Sequence, residues 1–284
     1  MQEGINLQPQ ASSGSSAVIQ LVSAGTAPIG EANMGLIAQA ISQGAPLKMV
    51  GLLWAKDSLG IISLTSEHIS KPSDLIGKKI GEVTGSSNAL TLAPWLQLNH
   101  VNASAVQVVN FGSSPLLITA LTSGQVDAVD MGVVWVPTFQ VSNYTVSIMT
   151  RDAWGLNIYG NGIVVNTNFL AHNQDLVHRF LLAYYTSINW AFQNPTPAVQ
   201  DMIKANPAMS PTILTASMPA IYDMYVDSVA LSNGLGYFDS AKATQTIQVA
   251  ETDLYTFAHP INATDVYTNS YLPVVLPSST PPPG

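Results

Sequence analysis

Ser16-Ala-Val-Ile-Gln-Leu-Val-Ser-Ala-Gly25, continuing as Thr26-Ala-Pro-Ile-Gly-Glu31-Ala-Asn-Met-Gly35, has a counterpart 99 positions later. The counterpart is Pro115-Leu-Leu-Ile-Thr-Ala-Leu-Thr-Ser-Gly124, continuing as Gln125-Val-Asp-Ala-Val-Asp130-Met-Gly132. Each copy reads as a short apolar helix stopped by a glycine, then a short buried strand, then a loop carrying an acid. A strand-like run precedes each, Ile5 to Gln10 and Val106 to Asn110. The chain therefore carries two β-α-β units, and self-similarity at so long a period is architectural. Open α/β sheets bind ligands at the carboxyl ends of their strands. Two such units facing one another would set matching loops on opposite walls of one cleft.

The composition narrows the function. Nearly half of the 284 residues are apolar, ample for a core, and only 9% are charged, against about 25% in ordinary domains. The formal net charge is -8 and Arg151 and Arg179 are the only arginines. Nucleic acid needs a basic patch to neutralise phosphates, so it is not a partner. No apolar run reaches the roughly 18 residues of a membrane-spanning helix. No Lys/Arg-led apolar leader opens the sequence. A surface of Ser, Thr, Asn and Gln builds up little charge as pH falls, which points to an extracytoplasmic setting. The absence of cysteine excludes thiolate chemistry, Cys-ligated metals and disulfides. Three N-glycosylation sequons, at Asn102, Asn143 and Asn262, are about as many as such a composition produces by chance.

Beyond the first unit, Gly35 to Gln43 reads as a helix capped by Gly44, followed by strands at Lys48 to Trp54 and Gly60 to Thr65. Lys71 to Gly81 reads as a turn, a one-turn helix and a new strand. A helix opens near Asn88 and runs to Leu98, with Pro94 expected to kink or shorten it. Gly162 to Asn166 is a strand. Val177, Phe180, Leu181, Tyr184, Ile188, Ala191 and Phe192 then trace one helical face, capped by Asn168 or Asn173 and stopped by Asn194-Pro195. The Pro-rich end, Pro277 to Gly284, reads as an unpacked stalk or linker.

The residues favour binding over catalysis. None of His68, His100, His172, His178 and His259 has ligand spacing, and no GxSxG, Walker or GxGxxG motif occurs. No cofactor or metal is called for. Three Ser/Gly-rich runs fall at expected helix N-termini: Ser12 to Ser16, Thr84 to Asn88, and Gly112 to Ser114. Free N–H groups and hydroxyls there suit the oxygen acceptors of a small ligand, although plain capping explains any one of them equally well. Glu31 and Asp130 hold the same place in the two copies, so a ligand with N–H donors or positive charge is favoured. Trp54, Trp135, Trp154 and Tyr159 lie near loop positions where an aromatic wall would stack on a flat ring; core packing is the alternative for each.

These pieces resemble a family: the solute-binding proteins of ABC importers for nitrate, sulfonates, taurine and thiamine-pyrimidine precursors. The resemblance runs from about Gly4 to Pro273. It is carried by Gly44-Ala-Pro-Leu-Lys48, Asp74-Leu-Ile-Gly-Lys-Lys-Ile-Gly81, Gly124-Gln-Val-Asp-Ala128, and Phe180 through Trp190-Ala191 to Asn194-Pro195. Asp265 to Pro273 looks most like the pyrimidine-precursor subgroup, Trp135-Val-Pro137 more like the sulfonate subgroup. The family usually begins with a strand and a helix ahead of the position of Gly4. Fungal enzymes on the same fold that make the thiamine pyrimidine use a cysteine-rich iron motif, which this chain lacks.

The resemblance implies a two-lobed, periplasmic-binding-protein-like α/β fold, each lobe a mixed sheet flanked by helices, with a ligand cleft between them. Lobe 1 is expected over residues 1–78 with 166–275, lobe 2 over 79–165, and a tail over 276–284. The expected ligand-binding residues are Ser13, Gly14, Ser15, Glu31, Asn33, Trp54, Thr84, Gly85, Ser86, Ser87, Asp130, Gly132, Trp135 and Tyr159. Gly85 is expected to let backbone approach the ligand closely. The expected function is that of a monomeric, membrane-tethered, extracytoplasmic protein that captures a small organic solute and delivers it to a membrane permease. A pyrimidine-making enzyme on the same fold and the ligand-binding domain of a sensory receptor are the alternatives.

Overall fold

Gly25 and Gly124 end their helices in the same way, and this defines the architecture. Both take positive φ, 72° and 73°, the left-handed conformation open to glycine at low cost. The Gly25 N–H donates to Val22 O and the Thr26 N–H to Leu21 O; the Gly124 N–H donates to Leu121 O and the Gln125 N–H to Ala120 O. The computed structural model describes residues 4–283. In it helix α1 spans Ser15–Ser23 and strand β1 spans Ile29–Asn33. Their counterparts, α4 at Ser114–Thr122 and β6 at Ala128–Gly132, keep the 99-residue offset at every boundary. The duplication read from the sequence is thus a structural one.

The remaining elements follow the sequence pattern closely. They are α2 (Met34–Ser42), β2 (Leu47–Leu52), β3 (Leu59–Leu64), β4 (Lys79–Val83), α3 (Ser87–Leu98), β5 (Gln107–Phe111), α5 (Val136–Val141), β7 (Val146–Thr150) and β8 (Asn161–Asn166). Helices complete the chain: α6 (Thr167–His172), α7 (Gln174–Gln193), α8 (Pro195–Ala205), α9 (Pro211–Tyr225), α10 (Ser228–Asn233), α11 (Ser240–Val249) and α12 (Ala263–Val266). Pro94 sits inside α3 without ending it. Asn173 is the N-cap residue of α7, without a side-chain cap bond; Asn166 caps α6, its Oδ1 accepting from the Asn168 and Phe169 N–H groups.

The chain forms two units, Met1–Lys56 with Ile158–Gly284, and Asp57–Asn157. In the first, a three-stranded sheet runs β1-β8-β2 with both pairings antiparallel. The two faces of that sheet bury different cores. Ala32, Met34, Ile37, Met49, Val164 and Ile247 pack together on the side of α2 and α11. Val50, Ile163, Val165, Leu181, Tyr185 and Tyr225 pack on the side of α7 and α9. The apolar stripe of α7, with Val177, Leu181 and Tyr185 all fully buried, is what seals this second face.

The second unit is a five-stranded sheet of order β5-β4-β6-β3-β7. β4 pairs in parallel with β5 and β6, and β3 pairs antiparallel with β6 and β7. Leu117, Leu121, Val129 and Phe139 form its core on the α4 and α5 side. Gly81 fits there because a Cβ would stand 3.0 Å from Leu117 and 3.1 Å from Phe111.

Three expectations change. Ile5 to Gln10 is not a strand, and Leu7 remains 63% exposed. Its counterpart β5 joins β4; among the described residues of the first unit, β1 pairs only with β8, so the run has no ladder to join. The first boundary between the units lies at Lys56, where residue 78 was expected, because β3 spends its hydrogen bonds on β6 and β7. The Pro-rich end is packed, not free. Leu235 N–H donates to Val275 O, Asn189 Nδ2 to Leu276 O and Tyr222 Oη to Ser278 O, and Pro277 and Pro282 are buried. Prolines lack N–H donors, but their neighbours' carbonyls still accept.

Candidate functional site

In the second unit the parallel strands β4 and β6 end beside the first turn of α3. This is where open α/β sheets place ligands. Thr84 and Gly85 form the turn from strand to helix, with Gly85 at φ 76° and the Ser86 N–H donating to Val83 O. Ser86 then caps α3, its Oγ accepting from Ala89 N–H at 3.2 Å. Thr84 is exposed and its Oγ1 donates to Asn110 Oδ1. Ser87 uses its carbonyl to accept from Thr91 Oγ1. The left-handed turn is thus the first demand on Gly85; no protein atom lies within 4 Å of where its Cβ would stand.

Beneath this turn lies a buried polar cluster. Arg151 donates through Nη2 to Asp130 Oδ2 and through Nη1 to Thr91 Oγ1, and both nitrogens also reach Asn88 O. Asn88 Nδ2 donates to Asp130 Oδ1 at 3.0 Å. The guanidinium stacks over Trp95, 5.2 Å from the ring centroid. Asp130 and Arg151 are 2% and 1% exposed. Burial pushes the Asp130 carboxyl up, and Arg151 and Asn88 pull it back. Asp130, expected to face the ligand, has its carboxylate oxygens bonded to Arg151 and Asn88.

Glu82 lies in the same environment and was not expected. It is the fourth residue of β4, in phase with the buried Ile80 and opposite to Gly81, so it points to the α3 side of the sheet. It is 9% exposed. Burial first, and then the negative charge of Asp130, raise its carboxyl to about 7, with Arg151 opposing.

The first unit builds a different face. Glu31 leaves β1 toward α7, and Asn161 Nδ2 donates to its Oε1 at 3.1 Å. The residue keeps part of its surface open, yet the protein packed about its carboxyl raises its pKa, with the Asn161 bond opposing. Tyr184 and Tyr225, hydroxyls 2.9 Å apart, both feel its charge. Trp54 packs half-buried on the same core, its N–H donating to Asn161 O. The Asn161 Oδ1 is buried without a hydrogen-bond partner. What this face offers a ligand is the open carboxylate of Glu31.

The other expected site residues hold structural positions. Ser15 is buried and its Oγ accepts from Asn33 N–H; Asn33 is buried and its Oδ1 accepts from Gly35 N–H, capping α2. Tyr159 is fully buried, edge-on to Phe238, with its hydroxyl accepting from Asp239 N–H. In these three, as in Asp130, the polar atoms named are bonded inside the protein. Gly132 faces Ser58, whose Oγ would stand 2.9 Å from an added Cβ, and Trp135 packs against the α4 core. Ser13 is exposed and Gly14 precedes α1.

Sequence reasoning missed Glu82, Arg151 and Asn161. A charged residue in phase with a buried isoleucine, and one of only two arginines at the end of a strand, were the available signals. Among the described residues no group of three or more His, Asp or Glu could hold a metal, and no helix is long and apolar enough to cross a membrane.

A sequence profile described as "NMT1/THI5 like" matches residues 1–198. The taurine-binding periplasmic protein of Escherichia coli K12 is 26% identical over 170 residues, covering 57% of this chain and 50% of that protein. The chain thus matches about half the length of that curated relative. A solved structure of a Bordetella bronchiseptica RB50 protein superposes with a TM-score of 0.75 at 20% identity, over 95% of this chain and 86% of the other. The alkanesulfonate-binding protein SsuA of Xanthomonas axonopodis pv. citri, bound to MOPS, gives 0.62 at 14% identity, over 90% and 86%. At these identities the structural likeness is one of fold, and the fold is that of periplasmic binding proteins.

Proposed function

Since the chain belongs to the NMT1/THI5-like family, we propose that it is an extracytoplasmic solute-binding protein that captures a small organic molecule and passes it to an ABC-type membrane permease. It converts nothing. The observation that carries the reading is the Glu31 face: an open carboxylate beside Trp54, Tyr184 and Tyr225. Such a face supplies acceptors and aromatic surface but no nucleophile, metal set or acid–base pair. It favours a solute with N–H donors, such as an amino-sulfonate or an aminopyrimidine, over nitrate or a plain sulfonate. The taurine-binding relative accords with this class.

The test is a thermal-shift screen of taurine, alkanesulfonates, aminopyrimidines, nitrate and bicarbonate, followed by calorimetry on the hits. A dose-dependent rise in melting temperature is expected for at least one N–H-bearing solute, as ligand linkage requires. Turnover of a bound solute by the purified protein would overturn the reading.

A further inference from the structure

Gln140 to Thr145, the link from α5 to β7, is exposed at every residue. Its backbone is held on both sides. The Asn143 N–H donates to Gln140 O and the Tyr144 N–H to Phe139 O, and Thr145 O accepts from the N–H and Oγ1 of Thr65. The side chains of Asn143 and Thr145 make no hydrogen bond among the described residues. Asn143-Tyr-Thr145 is one of the three N-glycosylation sequons. Asparagine is also used inside this protein, at Asn33 and Asn166, yet in all three sequons both the asparagine and the hydroxyl residue two places on are exposed. The other two are tied into local structure. Asn102 Oδ1 accepts from the Ser104 N–H and Oγ, and the Asn262 N–H donates to Asp265 Oδ2 at the start of α12. Asn143 stands at φ 63°, a left-handed position that asparagine tolerates. That accounts for an asparagine at 143 but not for the exposed hydroxyl of Thr145.

We propose that Asn143 is a modification site that carries an N-linked glycan, just ahead of the edge strand β7. Two features give a sugar chain a purpose there. Only 9% of the residues are charged, so hydration of the surface rests on neutral polar groups, and a glycan adds many. Among the described residues β7 pairs only with β3; it carries neither charge nor proline, and Ile148 is 37% exposed. Such an edge invites pairing with another chain unless it is covered. The donor class is a lipid-linked oligosaccharide. Asn143 Nδ2 bonds to the anomeric carbon of the sugar, and the bond from that carbon to the phosphate oxygen breaks. The lipid phosphate leaves with the electron pair, and one amide proton is released. The transfer takes place outside the cytoplasm, so this inference rests on the extracytoplasmic reading above.

The test uses the protein recovered from the cells that make it. Peptide mapping by mass spectrometry should find the peptide spanning 140–145 heavier than its sequence by a sugar chain in most molecules. Two variants expressed in the same cells check the site. Asn143→Gly keeps the left-handed backbone at low cost, and Thr145→Ala keeps Asn143 itself. Each should abolish the added mass while the melting profile shows a folded protein. An added mass on this peptide that survives Thr145→Ala overturns the assignment. The peptide at its sequence mass, in protein that cell fractionation places outside the cytoplasmic membrane, overturns the glycan and leaves the solute-binding reading standing. Unmodified protein confined to the cytoplasm overturns both.

Discussion

Asp130 and Arg151 form an ion pair whose side chains keep 0% and 1% of their surface exposed. Taking both charges out of water costs several kcal/mol each, so the pair is no guarantee of net stability. Breaking it is a different matter. Asp130→Asn takes the hydrogen-bonded counter-ion from the buried guanidinium and leaves only the Glu82 carboxyl near it, and a loss of at most about 3–5 kcal/mol is expected. Urea denaturation measures it. Adding Arg151→Met to Asp130→Asn should recover most of the loss. Recovery of nothing would mean the cost lies in packing around Asn88 and Trp95.

Glu31 behaves in the opposite way. It has one side-chain hydrogen bond and an open surface, so Glu31→Gln should stay within about 0.5 kcal/mol of wild-type stability. Affinity for an N–H-bearing solute should fall by about 1.5–3 kcal/mol, the scale of a charge-assisted hydrogen bond. Affinity for ethanesulfonate or nitrate should be unchanged or improved. A large fall in stability with no change in affinity would place Glu31 outside the site.

Stability should depend on pH through Glu82. Its carboxyl is raised from 4.5 to about 7 in the folded chain. Between those values the folded state holds more protons than the unfolded one, so stability is lost as pH rises through this window. Asp130 and Glu31 are also raised and tilt the wild-type curve the same way. The Glu82→Gln difference isolates one group. The variant should gain on the wild type by at most about 3 kcal/mol between pH 4.5 and 8. Urea midpoints at pH 5 and pH 8 test this, and a parallel pair of curves would remove Glu82 from the buried cluster.

Gly85 is held at φ 76° with open space where its Cβ would stand. The cost of substitution is therefore conformational rather than steric. Gly85→Ala should lose about 1–2 kcal/mol, and Gly85→Asn less, since asparagine visits the left-handed region more readily. Equal losses from the two would point to a backbone contact rather than φ.

Gly51 is the steric counterpart. A Cβ there would stand 2.3 Å from the Tyr185 hydroxyl, and that hydroxyl donates to Leu52 O at 2.9 Å inside the core. Gly51→Ala should destabilise by about 1–3 kcal/mol through overpacking. Tyr185→Phe should cost about 1 kcal/mol for the lost hydrogen bond. Because the two share one contact, the double variant should cost less than the sum.

Much of the architecture is local and therefore legible in the sequence. The helix–glycine–strand repeat rests on apolar spacing and on a glycine at a left-handed position, and both act within about ten residues. The α7 stripe and the Asn194-Pro195 stop are equally local. The same holds for the Ser86 cap, although a cap by itself cannot show whether its free N–H groups meet a ligand. Glu31 and Asp130 occupy one position of one repeat, so sequence assigned them one role. Tertiary structure separated them. β1 pairs on one side only and leaves Glu31 open; β6 lies between β3 and β4 and delivers Asp130 to an arginine 21 residues away. Whether a carboxylate meets solvent or a buried guanidinium depends on which strands flank it. That is decided by long-range pairing, whose energy no local pattern records.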